Sequence, residues 1–536
     1  MANVEPPTRE DLLWTIAMAR IIFGPEMSIQ VPPNLNAGHL GTLVQAGIND
    51  WGGVSPLTPD HVNPESPWPH LDELEKQTAS AGKLLQQRLT IYPRYLKSMD
   101  RWLDKNLQAP VLKLIDGAGF AREDDWLTGQ SEDVPRKYQT MDSASPRFPG
   151  KTQLSGDVRT ILEKARRDDP LLSAQEISRL FDARGVDFDA VCRTADERRR
   201  EQCGASVSYV ANRNINYTNI CSFRCKFCAF AKGKKNTEAS DAPYLKSPEE
   251  VGVLAQEAWL RGATEVCLQG GIHPSFTGQT YLDICSAVRD AVPEMHIHAF
   301  SPLEVTHGAE SLGLPLREFM IRLKEAGLRT LPGTAAEILC DDVRDIICPD
   351  KIKTRQWIEV LETAHALDLA TTSTIMFGHV EQYHHWAKHL LELLHLQQRS
   401  GGITEFVPLP FVADEAPMYR RGQCRRGPTF REAVLMHAVS RLVLSPSIPN
   451  IQTSWVKMGL QGAGVCLKSG ANDVGGTLMN ESITRAAGAS HGQEMTPETL
   501  EALIRSVDRE PFRRNTVYDA AVLKTYQPDC ALTSTA

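Results

Sequence analysis

The chain has 536 residues, and its 58 Lys and Arg against 66 Asp and Glu give a formal net charge of −8 at pH 7. This length exceeds one small domain and suits a large barrel with an appended unit. Without a basic excess, nucleic acid is not an expected partner. No apolar run approaches the roughly 20 residues that cross a bilayer, and the first ten residues lack a secretion signal. We therefore expect no membrane association and a cytoplasmic protein, with an organellar location left open.

The 12 cysteines are dilute in so long a chain, and none precedes Cys192. This distribution favours a reducing compartment over a disulfide framework. It also means that the first 191 residues cannot bind a cysteine-ligated metal centre by themselves.

Residues 1–122 contain an imperfect copy of the end of the chain. The separation between matching motifs stays between 421 and 426 residues, and the pairs are Arg20-Ile-Ile-Phe with Arg441-Leu-Val-Leu, Gly47-Ile-Asn-Asp-Trp-Gly-Gly with Gly470-Ala-Asn-Asp-Val-Gly-Gly, and Arg88-Leu-Thr-Ile-Tyr with Arg514-Asn-Thr-Val-Tyr. A nearly constant separation indicates an internal repeat. It predicts that residues 1–122 are the closing part of a second, related barrel whose metal-binding front is absent.

Residues 123–157 are polar and lack apolar periodicity, which predicts a linker. The following stretch, 158–204, is predicted to be a helical preface to the barrel, with helices over Ala174–Ala183 and Phe188–Glu201.

From Ser208 onward, short apolar runs alternate with helical patterns, which is typical of parallel strands joined by helices. Strands are predicted near Ser208–Asn212, Thr264–Leu268, His296–Phe300, Leu328–Leu331, Thr371–Phe377, Glu405–Leu409, Ile451–Val456 and Gly464–Leu467. Helices are predicted over Pro248–Arg261, Leu316–Ala326, Arg355–Leu367, Tyr383–Gln398 and Phe430–Leu444, the first with a capping box from Ser247 to Glu250. Eight strands predict an α/β fold, a (β/α)8 TIM-type barrel over residues 205–525, followed by a tail over 526–536.

Three cysteines follow the first predicted strand on one short loop, at Cys221, Cys225 and Cys228. Three thiolates at this spacing can hold a 4Fe-4S cluster and leave one iron open, where S-adenosylmethionine can bind and be cleaved to a 5'-deoxyadenosyl radical. A structural zinc site is the alternative, with His273 or Cys267 as the fourth ligand.

Further candidates follow other strands, where a barrel gathers its functional groups. Phe227 could lie against an adenine, and Gly270 and Gly271 could let a cofactor approach the backbone. Glu337 and Glu381 could bind a ribose or a substrate amine, or cap the next helix. Histidines at strand ends suit acid–base catalysis but are commonly structural, and the catalytic candidates are His273 and His379, with His298 also considered.

The barrel region resembles radical S-adenosylmethionine enzymes, specifically the tyrosine-consuming component of FO synthases (7,8-didemethyl-8-hydroxy-5-deazariboflavin synthases). The resemblance covers residues 160–520 and rests on Asn212-Arg-Asn-Ile-Asn-Tyr-Thr-Asn-Ile-Cys, Leu268-Gln-Gly-Gly-Ile-His-Pro, Ile297-His-Ala-Phe-Ser-Pro, Leu331-Pro-Gly-Thr-Ala-Ala-Glu-Ile-Leu, Thr371-Thr-Ser-Thr-Ile-Met-Phe-Gly-His-Val-Glu and Gly470-Ala-Asn-Asp-Val-Gly-Gly-Thr-Leu. It implies that Cys221, Cys225 and Cys228 ligate the cluster.

The resemblance also implies a reaction in deazaflavin coenzyme biosynthesis. The transferase joins the 4-hydroxybenzyl group of L-tyrosine to 5-amino-6-(D-ribitylamino)uracil, and it needs a one-electron donor protein. Residues 1–122 resemble the end of the ring-closing component, which suggests a chain with that complete component as a partner and only the first step for this chain. The alternatives are an aminofutalosine-type radical enzyme of menaquinone synthesis and a non-catalytic iron–sulfur or zinc interaction module.

Overall fold

The computed structural model describes residues 7–139, 153–167, 171–232 and 242–519. Within these residues the strands are β1 Ser206–Val210, β2 Asn212–Asn216, β3 Glu265–Gln269, β4 His296–Ala299, β5 Leu328–Leu331, β6 Ala370–Phe377, β7 Ile403–Pro410, β8 Asn450–Ile451, β9 Asp473–Gly476 and β10 Glu510–Arg514.

The α-helices of the described residues are α1 Arg9–Phe23, α2 Leu40–Ala46, α3 Leu71–Ser80, α4 Pro93–Leu96, α5 Met99–Trp102, α6 Lys105–Leu114, α7 Gly156–Ala165, α8 Ala174–Phe181, α9 Val186–Cys203, α10 Pro248–Leu260, α11 Gly278–Ala291, α12 Pro302–Ser311, α13 Leu316–Ala326, α14 Asp341–Ile347, α15 Thr354–His365, α16 Tyr383–Ser400, α17 Pro417–Arg420, α18 Phe430–Leu444, α19 Trp455–Leu467, α20 Ile483–Ala486 and α21 Pro497–Ser506. Short 3-10 helices form at Asn34–Asn36 and Arg136–Tyr138. None of the helices in the described part of the chain is both long and apolar enough to cross a membrane.

The described residues divide into two compact units. Unit 1 contains residues 7–87 with the stretches 153–156 and 184–189, and unit 2 contains the remaining described residues. Unit 1 has its own apolar core, which includes Ile16, Leu43, Trp51 and Leu74.

Unit 2 is built around a parallel sheet in which β2 to β8 follow one another in chain order. A second parallel sheet places β1 between β9 and β10. The two sheets join where Gln452 pairs with Asp473 and the Thr453 amide donates to the Asp473 carbonyl at 2.8 Å. Because only Ala211 separates β1 from β2, backbone hydrogen bonds run around a closed ring. This confirms the predicted α/β barrel class.

The eighth position of the ring is not the strand that the sequence predicts. Residues Gly464–Leu467 lie inside α19, and β9, at Asp473–Gly476, closes the barrel instead. The strand predicted over Ile451–Val456 is also shorter, since β8 ends at Ile451 and α19 begins at Trp455. A short apolar run does not distinguish a strand from a buried helical segment, which explains this error.

The predicted helices agree closely with the structure. Leu316–Ala326 and Phe430–Leu444 have the predicted bounds, and all fifteen residues of α18 are buried. At α10 the Ser247 hydroxyl accepts from the Glu250 amide, and the Glu250 side chain accepts from the Ser247 amide, as the capping box predicts. The stretch predicted to be a helical preface contains α7, α8 and α9, and α8 packs on α16 and α18.

Residues 88–139 belong to unit 2 and pack on the barrel around α18. Trp126 and Tyr138 are buried, with ring centroids 5.3 and 5.1 Å from that of Phe430. The Arg431 guanidinium pairs with Asp116 at 3.3 Å. The sequence divides this stretch differently, at residue 122, because isolated aromatic anchors leave no periodic signal.

Unit 1 reproduces the corner of the barrel where β8, α19 and β9 meet. Arg20 Nε donates to the Gly47 carbonyl at 2.8 Å, and Arg441 Nε donates to the Gly470 carbonyl at the same distance. In both glycines φ is positive, and an added Cβ would meet the arginine side chain at 2.9 or 3.0 Å. The sequence repeat is therefore a structural repeat at this corner.

Further hydrogen bonds repeat in the same register. The Ile29 amide donates to Asn49 Oδ1 at 2.8 Å, as the Ile451 amide does to Asn472 Oδ1 at 2.8 Å. The copies differ in burial, because Ile21 and Ile22 are 74% and 68% exposed whereas every residue of α18 is buried.

We predict that Arg441→Met strongly destabilises the barrel. The buried guanidinium donates to the Gly470 carbonyl, to the Pro449 carbonyl and to Asn472 Oδ1, of which Asn472 Oδ1 also accepts from the Ile451 amide. A buried acceptor that loses its donor costs about 1–3 kcal/mol, and we expect a large drop in the guanidinium chloride unfolding midpoint. Arg399→Met is the control, because Arg399 makes an exposed pair with Glu362 that contributes about 0–1 kcal/mol. Equal midpoints for the two variants would contradict this reading.

Candidate active site

A cavity of about 360 Å³ lies inside the barrel of unit 2. Alternate residues of the strands line it, as the period of two in a β-strand requires. Four strands contribute two or three residues each, which are Asn212 and Asn214 (β2), Glu265, Cys267 and Gln269 (β3), Thr372, Thr374 and Met376 (β6), and Glu405, Val407 and Leu409 (β7).

The cysteine loop follows β2 at the carboxyl end of the sheet and is held by segments that follow other strands. The Ser222 amide donates to the Ile272 carbonyl at 2.8 Å, and the Lys226 amide donates to the Ile347 carbonyl at 2.8 Å. The Lys226 carbonyl accepts from the Met418 amide at 2.9 Å. The loop is thus fixed by backbone contacts independent of any bound group.

Cys221, Cys225 and Cys228 are half-buried free thiols on this loop. Burial raises the pKa of Cys225, although the Lys351 ammonium opposes the shift. Burial also raises the pKa of Cys228, although hydrogen bonds with the backbone of Ala231 and Phe230 oppose the shift. Thiols of this kind lose their protons when a metal centre binds, so the donor set fits a cluster with three cysteine ligands.

The two residues considered as a fourth zinc ligand do not join this loop. His273 Nδ1 interacts with the Ser275 hydroxyl at 2.7 Å and does not line the cavity. Cys267 faces the cavity beside other groups, and burial and the charges of Glu265, Glu304 and Glu405 raise its pKa. Within the described residues, neither side chain makes a hydrogen bond to Cys221, Cys225 or Cys228.

Gly270 and Gly271 make room for the loop and do not line the cavity. A Cβ on Gly270 would clash with the Tyr217 ring, and one on Gly271 would clash with the Ile220 carbonyl and lie 3.0 Å from Cys221 Cβ. The Gly271 amide donates to the Thr218 carbonyl at 2.9 Å. The glycine pair therefore positions the backbone that carries Cys221.

Phe227 and Glu337 both line the cavity next to the cysteine loop. Glu337 pairs with Lys351 Nζ at 2.7 Å, and this ammonium lies 5.5 Å from the centroid of the Phe227 ring. Glu337 has a φ of 47° in the loop after β5, a conformation that is unfavourable outside glycine and is common at functional sites. The sequence analysis missed Lys351, because nothing in its neighbours indicates a buried ion pair.

Glu381 and His379 are buried together away from the cavity. Glu381 accepts from the amides of Gly378 and His379 and from Trp386 Nε1, and it pairs with His379 Nδ1 at 2.7 Å. Burial raises the pKa of Glu381, but His379 and Arg425 outweigh it and lower the pKa overall. His379 Nε2 contacts the Met376 carbonyl at 3.1 Å. These contacts anchor the start of α16 and do not face a ligand.

The inner end of the cavity is polar and densely charged. Arg514 Nε donates to the Asp473 carboxylate at 2.6 Å, and Arg514 Nη2 lies 3.3 Å from the Glu405 carboxylate. Burial raises the pKa of Glu405 to about 7, although Arg514 opposes the shift. His298, also in the cavity, hydrogen-bonds Thr330 at 2.7 Å, and burial lowers its pKa.

Lys457 and Glu481 are two further charged residues of the cavity wall, which the sequence analysis missed. Burial lowers the pKa of Lys457 to about 8, and the Glu481 carboxylate opposes this shift. Each is a single charge in an otherwise ordinary stretch, so only the fold reveals that they meet.

Cys340, Asp342 and His385 form a separate group of metal-ligating side chains, and two of them, Cys340 and Asp342, line an open groove of about 770 Å³. The Gln382 amide donates to His385 Nδ1 at 3.0 Å, which leaves the proton of a neutral imidazole on Nε2, the nitrogen that faces Asp342. The Lys388 ammonium lies 3.4 Å from Cys340 Sγ. This geometry disfavours a metal ion there.

Comparisons with known proteins agree with the fold. The sequence model of the radical SAM superfamily matches residues 215–393, and that of the CofH/MqnC C-terminal region matches residues 400–526. The methylornithine synthase PylB has a TM-score of 0.51 at 14% identity over 67% of this chain and 98% of its own. The FeFe-hydrogenase maturase HydG from Carboxydothermus hydrogenoformans has a TM-score of 0.50 at 16% identity over 72% of this chain and 84% of its own. Residues 215–393 are therefore a radical SAM domain.

Curated relatives narrow this class. The 5-amino-6-(D-ribitylamino)uracil–L-tyrosine 4-hydroxyphenyl transferase of Methanothermobacter thermautotrophicus is 44% identical over 67% of this chain and 97% of its own length. FO synthase of Streptomyces coelicolor is 44% identical over 95% of this chain and 62% of its own length. The chain belongs to the family of these transferases and FO synthases, and it spans less than two thirds of the length of the FO synthases that it matches.

We predict that Gly271→Ala weakens the cysteine loop while the barrel stays folded. The new Cβ would push the Ile220 carbonyl and Cys221 out of place, and such overpacking costs about 1–3 kcal/mol. Iron and sulfide bound per protein after anaerobic reconstitution should fall. Gly464→Ala is the control, because its Cβ would meet Val507 at an ordinary 3.4 Å. Full iron loading in Gly271→Ala would refute this role of the glycine.

Proposed function

We propose that the chain binds a 4Fe-4S cluster through Cys221, Cys225 and Cys228 and uses S-adenosylmethionine to couple tyrosine to 5-amino-6-(D-ribitylamino)uracil. The observation that carries the proposal is the position of the three thiols, on a loop at the carboxyl end of β2 whose Cys228 opens into the barrel cavity. When bound, the cluster and S-adenosylmethionine supply an electron and a 5'-deoxyadenosyl radical. A one-electron donor protein is then a necessary partner.

The residues next to the loop suit the adenosyl part of the cofactor. Phe227 offers an aromatic face for adenine, and Glu337 offers a carboxylate for the ribose hydroxyls. Lys351 Nζ donates to Glu337 Oε1 at 2.7 Å, which orients this carboxylate. We assign Gly270 and Gly271, and more remotely Glu381 and His379, to support of the site, because none of them lines the cavity.

The cavity walls suit two different substrates. Met376, Leu409, Phe411 and Val412 provide an apolar section where a phenol ring would lose little by leaving water. Glu265, Glu405 and Arg514 provide a polar section that can hydrogen-bond a polyhydroxy chain and a pyrimidine. The barrel walls around a bound substrate would limit the access of water and of other reactants to a radical.

In this proposal tyrosine gives one hydrogen atom to the 5'-deoxyadenosyl radical and its Cα–Cβ bond breaks, so that the Cα fragment leaves as 2-iminoacetate. The 4-hydroxybenzyl radical would join the aminouracil, and the adduct would lose one proton to solvent and one electron to the oxidised cluster. The reactants are those in the name of the archaeal relative. An aminofutalosine-type reaction is the main rival.

The proposal predicts that anaerobically reconstituted full-length protein, given S-adenosylmethionine, a strong reductant, ring-labelled tyrosine and the aminouracil, forms 5'-deoxyadenosine and a coupled product with the labelled ring. Mass spectrometry checks both. Cys225→Ala should abolish both products, whereas Cys285→Ala should retain them, because Cys285 is a buried thiol of α11 outside the cavity.

The outcomes separate the alternatives. Formation of 5'-deoxyadenosine without a coupled product would refute the choice of substrates, and turnover only with a menaquinone-pathway substrate would favour the rival reaction. Absence of 5'-deoxyadenosine would instead favour a non-catalytic metal-binding module.

A further inference from the structure

Lys457 and Glu481 are oppositely charged residues that line the cavity, and they do not form an ion pair with each other. Glu481 is only 5% exposed, and its Oε2 has no hydrogen-bond partner within the described residues. Across the same part of the chain, half-buried Lys457 makes no hydrogen bond or ion pair through Nζ. A buried charge without a partner is costly, so such an arrangement indicates a site that a ligand completes.

The backbone holds both groups in place at the carboxyl end of the barrel. Lys457 lies in the first turn of α19, directly after β8, and the helix breaks two residues later at Gly459, where φ is 67° and ψ is 172°. The Lys457 carbonyl accepts from the Gly129 amide at 2.7 Å, which fixes this turn on residues 88–139. The lysine therefore projects from a short, anchored turn.

Glu481 follows β9 in an unusual stretch of backbone. Leu478, Met479 and Asn480 all have positive φ, at 63°, 39° and 133°. Three consecutive non-glycine residues in this region are unfavourable, and such strain concentrates at functional sites. The Thr484 amide donates to Glu481 Oε1 at 2.8 Å, so one oxygen is fixed by the protein and the other is left for a ligand.

The internal repeat shows which residues of this region recur in unit 1 and which do not. The Arg441, Asn472 and Gly470 contacts recur in unit 1, as expected for a structural corner. Residues 32–38, which occupy the place of the Lys457 turn in the repeat, contain no charged residue. Closure of the corner thus does not require this lysine.

We propose that Lys457 and Glu481 bind the α-carboxylate and the α-ammonium group of an amino-acid substrate. The proposal rests on the proposed function, in which that amino acid is tyrosine. A zwitterion presents one negative and one positive group on a single carbon, and the two side chains offer the complementary charges. The pKa of about 8 for Lys457 leaves the amine mostly protonated at neutral pH, as this role requires. The neighbouring Phe411, Val412 and Ile483 form an apolar wall for the side chain of the ligand.

Two analogues of tyrosine test each contact separately. Tyramine lacks the carboxylate, and 3-(4-hydroxyphenyl)propanoate lacks the amine. Full-length reconstituted protein, together with its variants Lys457→Met and Glu481→Gln, is assayed for equilibrium binding of tyrosine, tyramine and the propanoate. Lys468→Met and Glu498→Gln are the controls, because these residues end α19 and begin α21 without lining the cavity.

We expect the wild type to prefer tyrosine over each analogue by about 10- to 100-fold, the usual effect of one charge-assisted contact. Lys457→Met should lose the preference over tyramine and keep the preference over the propanoate, and Glu481→Gln should show the reverse. A variant that is merely damaged would lose both preferences together. Thermal midpoints and iron content establish that each variant is folded.

The outcomes distinguish this inference from the proposed function. If both variants keep the wild-type preference for tyrosine over the two analogues, and tyrosine is still coupled, the binding role of Lys457 and Glu481 is overturned and the proposed function is not. If each variant loses the preference expected for its residue, in a protein that binds tyrosine but forms no coupled product, the binding role is supported and the coupling reaction is overturned. Failure of the wild type to bind tyrosine would overturn both.

Discussion

Closure of the parallel barrel at the corner of β8, β9 and β1 is the constraint on which the site depends. The pairing of Gln452 with Asp473 and of β9 with β1 joins the two ends of the sheet. Buried Arg441 donates to three acceptors of this corner, which would otherwise need hydrogen bonds from water. Only when the ring is closed do alternate residues of every strand face a common interior.

The same corner accounts for the distribution of charge in the cavity. Arg514, from the strand outside β1, balances Asp473 and Glu405 at the inner end. At the other end, burial raises the pKa of Cys225 and Cys228, although the Lys351 ammonium opposes both shifts. A bound metal centre would add positive charge at these thiols. The barrel thus separates an inner end, where Arg514 pairs with Asp473 and Glu405, from an outer end that carries the cysteine loop.

Much of this architecture follows from local sequence patterns, and the parts that do not have identifiable causes. Parallel strands and helices such as α13 and α18 follow from periodicity, and the Cys221–Cys228 loop follows from spacing alone. Gly464–Leu467 is predicted wrongly, because a four-residue apolar run fits a strand and a buried helix equally well. Lys351, Lys457 and Glu481 gain their importance from burial next to residues distant in the sequence, which no local pattern encodes. His379 and Glu381 occupy promising strand ends, but their side chains bond each other and the backbone.

The central claim is that the three-cysteine loop holds a cluster with one iron open to S-adenosylmethionine beside the barrel cavity. Electron paramagnetic resonance of the anaerobically reconstituted, reduced protein, recorded before and after addition of S-adenosylmethionine, tests it most directly. The account predicts a 4Fe-4S signal whose g values shift when S-adenosylmethionine is added. Bound zinc in place of iron, or an iron signal that does not respond to S-adenosylmethionine, would contradict it.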